Sequence, residues 1–258
     1  MNLASSAVRA VQGLAAAAAA AYRIRLAETD ADVRAAQALR FEVFNLELDE
    51  GLVRSYDTGL DADPFDAVCE HLLVEDAASG GVIGTYRLQT GAAADQRLGY
   101  YCEREFHFEP FEALRPQIVE LGRACIQRQH RSFTVLSLLW KGIAQYADHH
   151  GARYLIGCSS LTSLDPAVGA AAYRDLQPHL AQATQRTYPV AEFACALDTV
   201  ASPPAHIPRL LSAYLALGAK ICGPPAIDRE FRTIDFLTCL DLHSKGIAPL
   251  RRRWGIGA

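Results

Sequence analysis

The residues best suited to chemistry in this sequence are charged side chains set among apolar neighbours, in four groups. Arg40 and Phe44 stand four residues apart, which puts them on one face of a helix. Asp63 and Asp66 flank Pro64-Phe65, with Glu70-His71 just beyond. Arg87 sits in the strand-like run Thr85-Tyr86-Arg87-Leu88. Glu120 and Arg123 enclose Leu121-Gly122. A regular strand points residues three apart to opposite faces, but a bulge at Gly122 would turn both charges to one side and leave a backbone N–H unpaired. A carboxylate in such a place can accept a proton, and a free N–H can donate to developing negative charge. Taken singly, the same groups also describe solvated helix and loop residues and a strand-edge ion pair.

Covalent and metal chemistry have weaker support. The seven cysteines are scattered, with no C-x-x-C pair, and several lie in apolar runs as reduced, buried thiols do. Cys125 and Cys158 stand near the charged groups, yet neither has a sequence neighbour that would activate a thiolate. The eight histidines show no H-E-x-x-H spacing, so no metal is expected. A net charge of −4 excludes a chain that binds nucleic acid over its whole surface.

The elements that must position these groups follow from periodicity. Tyr22 to Leu26 alternates as a half-buried strand. Thr29 or Asp30 caps a helix to about Leu46. Residues 47–69 form a long polar loop, a length usually kept for function. Strands at His71–Val74 and Val82–Leu88 are joined around Ser79-Gly80-Gly81, and 118–126 is a third. An apolar helix spans Val135–Ala147, a strand Tyr154–Cys158, and Asp165-Pro166 starts another helix. A helix near 207–217 ends at Gly218 in a left-handed cap, followed by strands near 219–222 and 234–240. The alternation implies one α/β domain, a mixed central sheet with helices on both faces. Three segments are expected: an Ala-rich extension over 1–21, the catalytic-type domain over 22–242, and a basic tail over 243–258.

In order and spacing, Arg40-x3-Phe44, Asp63-x2-Asp66, Arg87 and Glu120-x2-Arg123 resemble the charged signature of acyl-homoserine-lactone synthases. Longer stretches are closer to a sister group, the GNAT-like L-ornithine N-acyltransferases and N-acyl amino acid synthases, often labelled hemolysin-like. They include Leu39 to Phe44, Phe65 to Val74, Val82 to Leu88, Glu120 to Cys125, Leu138 to Ala144, Tyr154 to Leu161, Leu217 to Asp228, and Asp235-Phe236-Leu237. The resemblance covers roughly residues 22–242. It implies a GNAT-like acyltransferase fold with a mostly antiparallel sheet. The implied reaction moves a 3-hydroxyacyl group from acyl carrier protein to the α-amine of ornithine, giving lyso-ornithine lipid. Another acceptor (glycine, glutamine or tyrosine), homoserine-lactone synthesis, and an acyl-carrier- or lipid-binding regulator are the alternatives. Homoserine-lactone synthases usually carry a tryptophan after the first helix; here the tryptophans are Trp140 and Trp254.

The resemblance also assigns roles. Glu120 is the expected base, with Arg123, Arg40 and Arg87 orienting carboxylates or holding the acceptor's carboxylate. Phe44, Asp63, Asp66, Leu121, Gly122, Ser159 and Ser160 are expected at the substrate, Asp63 and Asp66 either receiving a cationic acceptor or ordering their loop. Where acetyltransferases that bind coenzyme A carry a Gly-rich turn, this chain has Arg128-Gln129-His130-Arg131-Ser132-Phe133-Thr134, without glycine. Close approach to a pyrophosphate is disfavoured there. Arg128, His130 and Arg131 are expected to meet an acyl carrier protein, the phosphopantetheine thioester serving as donor with no bound cofactor. A cytoplasmic protein is expected. Arg251-Arg252-Arg253-Trp254 offers a peripheral contact with the inner membrane or a frayed tail.

Overall fold

The computed structural model of the protein describes residues 21–199, 206–254 and 256. Strand β1 (Tyr22–Leu26) leads to helix α1 (Asp30–Phe41), which starts in a capping box between Thr29 and Asp32. The helix was expected to run to Leu46. Instead it widens at Glu42 into a π-helical turn to Glu47, which still buries Val43 and Phe44. A short helix α2 (Ser55–Thr58) and a 3-10 turn (Pro64–Ala67) order the polar loop. The hairpin β2 (Glu70–Asp76) and β3 (Val82–Thr90) follows as expected. Helix α3 (Gly91–Gln96) and two 3-10 turns then lead to β4 (Ile118–Ile126). The second half comprises α4 (Phe133–His149), β5 (Tyr154–Leu161), α5 (Pro166–Asp175), α6 (Arg209–Ala216), β6 (Lys220–Ile221), β7 (Ala226–Asp228), β8 (Thr233–Asp241) and α7 (Ala248–Trp254). Among the described residues these strands form one eight-stranded sheet, in the order β1-β2-β3-β4-β5-β8-β6, with β7 paired to β8. Only β4 and β5 pair in parallel.

Strand alternation divides the side chains between two faces. Leu72, Tyr86, Leu155 and Leu240 face α4 and join Leu139, Trp140 and Ile143 in the largest core cluster. The opposite face of β4, β5 and β8 carries Ile118, Ile156 and Leu237. It is covered by the 90–117 segment through Tyr100, Phe106 and Phe111. Arg87 and Glu120 point to this second face, set by the pairings Arg87–Gly122 and Gln89–Glu120.

Two features break the sheet's regularity. Tyr86 faces an extra residue in β4, because the register shifts between the Thr85–Cys125 and Arg87–Gly122 pairs. This is the bulge expected at Gly122, displaced by one residue: Arg123, not Gly122, takes the left-handed conformation (φ 49°). The second break lies between β4 and β5, whose ladder holds only Ile118–Tyr154, Val119–Leu155 and Glu120–Ile156. Gly157 meets the Leu121 carbonyl just past this point; a Cβ there would stand 2.3 Å from the oxygen. Beyond it the two strands carry no mutual pairs.

The C-terminal segment is not a separate tail. Trp254 is 9% exposed and packs with Ile247 and Ile256 into the largest cluster, so its indole is unavailable to a lipid surface. The Ala-rich extension over 1–20 lies outside the described residues. No helix among those described is long and apolar enough to cross a membrane. Trp254→Ala should cost about 3 kcal/mol, the scale of truncating a core aromatic, read as a lower urea midpoint. An unchanged midpoint would mean that the segment contributes nothing to the core.

Candidate active site

Three arginines and three aspartates form a buried ion network on the second face. Arg40, from α1, donates to Asp61 Oδ2 (2.8 Å) and forks onto Asp66 (3.0 and 2.7 Å). Arg87, from β3, donates to Asp63 (2.6 Å) and Asp66 (3.0 Å). Arg123, carried to this face by the bulge, donates to Asp63 (2.9 Å), and its Nε lies 3.3 Å from Asp61. None of the six side chains is more than 8% exposed. Burial alone would raise the pKa of Asp63 and Asp66. The Arg87 and Arg123 guanidiniums beside Asp63, and Arg40 beside Asp66, outweigh that and hold both carboxyls below their ordinary range. Asp61, on which two of the arginines converge, was missed by sequence reasoning, which stopped at the pair flanking Pro64-Phe65.

Past the last β4–β5 pair lies a cavity of about 330 Å³. It runs through the gap in the sheet and has two unlike arms. The arm on the α4 face is apolar, lined by Leu121, Leu155, Leu210, Tyr214 and Leu240. The arm on the second face is polar and acidic: Glu120, Arg87 and Arg123 at the gap, then Cys158, Ser160 and Asp235 along β5 and β8. Of the expected substrate residues, Phe44, Leu121, Gly122, Ser159 and Ser160 line this cavity. Arg40, Asp63 and Asp66 do not. Asp63 and Asp66 order their loop, because guanidiniums already neutralise both; the expectation that they could receive a cationic acceptor is corrected accordingly.

Glu120 accepts from the Tyr101 and Cys102 N–H groups, each at 2.7 Å. Burial raises its pKa above the ordinary carboxylate value, tempered by these bonds from Cys102 and Tyr101. Its neighbour Gln89 is buried, lines the cavity, and has no hydrogen-bond partner for either amide atom. Cys158 lines the cavity too, but burial pushes its thiol well above the ordinary value, as it does for Cys125. That opposes a thiolate nucleophile.

The residues expected at the carrier lie away from this cavity. Arg128 is exposed on the turn before α4. His130 meets the Tyr22 hydroxyl at 3.2 Å. Arg131 forks onto Glu47, with one contact of 2.8 Å, so much of its charge is already matched. Ser132 caps α4 by accepting from the Val135 N–H.

A second set of buried carboxylates was not read as a site. Glu105, Asp228 and Asp235 bring oxygens within 4.8 Å of one another, and Glu50 lines the same cavity. Burial pushes Glu50 up to about 7 and Asp235 up to about 6, and Glu105 well above the ordinary value, reinforced by the Asp235 charge. The available signal was Asp235 within the otherwise apolar run Ile234-Asp235-Phe236-Leu237.

Comparison with known proteins fits this geometry. Residues 39–141 match the acetyltransferase (GNAT) domain family. The chain is 33% identical to the L-ornithine N(alpha)-acyltransferase of Brucella abortus over 85% of this chain and 84% of that protein. It is also 33% identical to the L-ornithine N(alpha)-acyltransferase of Rhodobacter capsulatus, over 88% of this chain and 92% of that protein. The chain belongs to the L-ornithine N(alpha)-acyltransferase family. The expected class of enzyme, an acyltransferase of GNAT-like fold, is borne out. A solved CoA-dependent acyl-homoserine lactone synthase shares the fold, with a TM-score of 0.53 and 15% identity over 92% of this chain and 91% of that chain.

Within this acyltransferase the ion network makes a direct prediction. Arg40→Leu leaves Asp66 with Arg87 alone and Asp61 with Arg123 alone, three buried carboxylates on two arginines, and should cost about 3–5 kcal/mol at neutral pH. Because Asp63 and Asp66 have lowered folded values, their contribution is present above the ordinary 3.8 and is lost as pH falls through those lowered values. The gap between wild type and variant should therefore narrow below about pH 4. A pH-independent gap in urea titrations would contradict the network's energetics.

Proposed function

We propose that the protein transfers a fatty acyl group, in thioester linkage to acyl carrier protein, onto the α-amine of ornithine, giving the lyso precursor of ornithine lipid. The observation that carries this reading is the cavity through the sheet: an apolar arm for a chain, a polar arm for an amino acid, and a meeting point at the β4–β5 gap. The thioester carbonyl sits at that gap, polarised by a backbone N–H of Leu121–Arg123. Glu120, directly or through water, takes a proton from the α-ammonium. The freed amine attacks the carbonyl carbon, the C–S bond breaks, the nitrogen gives its second proton to the departing thiolate, and Glu120 releases the first to solvent. Arg87 and Arg123 hold the acceptor's carboxylate from the wall of the polar arm.

Glu120 also anchors residues 101–102, so loss of activity alone does not identify a base. Glu120→Gln should lower kcat by ~10²–10⁴ and remove the acidic limb of the kcat/KM profile. Loss of rate with an unchanged limb would leave Glu120 only a structural anchor.

The donor is tested separately. The turn before α4 has no glycine to let a pyrophosphate approach, while the exposed Arg128 can meet an acidic carrier. kcat/KM should be far higher with acyl carrier protein than with acyl-CoA of the same chain, and the difference should shrink with salt. Arg128→Glu should raise KM for the carrier and not for ornithine. Arg131 is less suitable for charge reversal because it would face Glu47. Equal efficiency with the two donors would overturn the carrier assignment.

A further inference from the structure

The two sets of buried carboxylates differ in one respect. Asp61, Asp63 and Asp66 have three arginines. Glu50, Glu105, Asp228 and Asp235 are at most 7% exposed, yet no basic side chain forms an ion pair with them among the described residues. Their protein partners are neutral donors. Thr162 donates to Glu50, Tyr101 (3.2 Å) and the Phe231 N–H (2.8 Å) to Asp228, and Thr233 (3.0 Å) to Asp235. The Cys158 thiol lies 3.7 Å from Glu105 Oε2. Two buried oxygens, Asp235 Oδ1 and Glu105 Oε1, are given no donor; the Glu105 and Asp235 carboxyls lie within hydrogen-bond reach of each other, Ser160 also meets Asp235, and both Asp235 and Ser160 are part of the cavity wall. Negative charge concentrated at the wall of a substrate cavity requires a cation or retained protons.

We propose that Glu105, Asp228 and Asp235, with Glu50 beside them, form the subsite for the side-chain ammonium of the acceptor amino acid. This rests on the acyl-transfer reading above and adds which groups select the acceptor. Spacing along the sheet supports it. Glu120 pairs with Ile156, and Glu105 reaches β5 at Cys158, two residues farther on. Two residue rises are ~6.6 Å. The α-carbon and three methylenes, five bonds in all, separate the nitrogens of extended ornithine by roughly 6 Å at standard bond lengths. An α-amine at Glu120 thus puts the δ-ammonium level with the carboxylates. Hydrogen bonds of ~2.8 Å from a tetrahedral ammonium require acceptor oxygens ~4.6 Å apart, which suits a set lying within 4.8 Å. The aspartate network on the other side of the gap cannot serve, since its charge is already matched.

The test compares L-ornithine with L-norvaline, which has the same carbon chain without the terminal amine. Wild type should favour ornithine by about 100-fold or more in kcat/KM, the scale of removing one partner of a buried charge pair. Asp235→Asn and Asp228→Asn should each reduce this ratio at least tenfold. They should also abolish the thermal shift that ornithine gives wild type, while melting cooperatively without ligand. An unchanged ratio in folded variants would overturn the subsite. So would activity that is lost to EDTA and restored by Mg²⁺ or Ca²⁺, because the carboxylates would then hold a metal. If wild type acylates no ornithine but accepts a neutral amino acid, the acceptor reading itself fails, which is a distinct result.

Discussion

The structure depends on the pairing of Arg40, Arg87 and Arg123 with Asp61, Asp63 and Asp66. Burying six charges is unfavourable unless each is matched and hydrogen-bonded. Meeting that condition ties helix α1, the 61–66 turn, β3 and β4 into one arrangement. It also accounts for a backbone irregularity. Arg123 can reach Asp63 only if β4 carries an extra residue opposite Tyr86, and the residue that pivots is Arg123 itself, in a conformation that is uncommon outside glycine. A bulge bends and twists its strand. Immediately before it, the β4–β5 ladder ends and the cavity begins. The network therefore shapes the reaction site without lining much of it: Arg87 and Arg123 border the cavity, while Arg40 stays behind them as a positioning residue.

On the far side of the gap the electrostatics reverse. Carboxylates gather there without arginines, and desolvation favours the protonated forms of Glu50, Glu105 and Asp235. The protein thus keeps one neutralised ionic cluster as framework and one uncompensated cluster within its substrate cavity. A ligand cation fits the second and not the first, since a fourth cation beside three matched pairs would gain little.

Much of this was legible in the sequence. Alternation placed β1, the β2–β3 hairpin and β4, and the Asp165-Pro166 start gave α5. The charged groups at 40, 63, 66, 87, 120 and 123 pointed to a shared location. What spacing could not supply was which charges cancel. Asp63 and Asp66 were left between receiving a cationic substrate and ordering their loop, because their arginines are 21 to 60 residues away. Glu105, Asp228 and Asp235 come from separate segments, and their proximity is created only when the 90–117 segment folds over β5 and β8. Trp254 was misread for a related reason. A basic run resembles a solvated tail, and the burial of Trp254 comes from its packing with Ile247 and Ile256 in the largest cluster.

The central claim is that the cavity holds the acyl chain on one face of the sheet and the amino acid on the other, with the new amide bond in the β4–β5 gap. A crystal structure with an N-acylornithine bound tests it most directly. The account predicts the alkyl chain against Leu155, Tyr214 and Leu240, the amide carbonyl beside Leu121–Arg123, and the amino acid portion on the Glu120 side. A ligand lying wholly on one face of the sheet, or bound outside the gap, would contradict it.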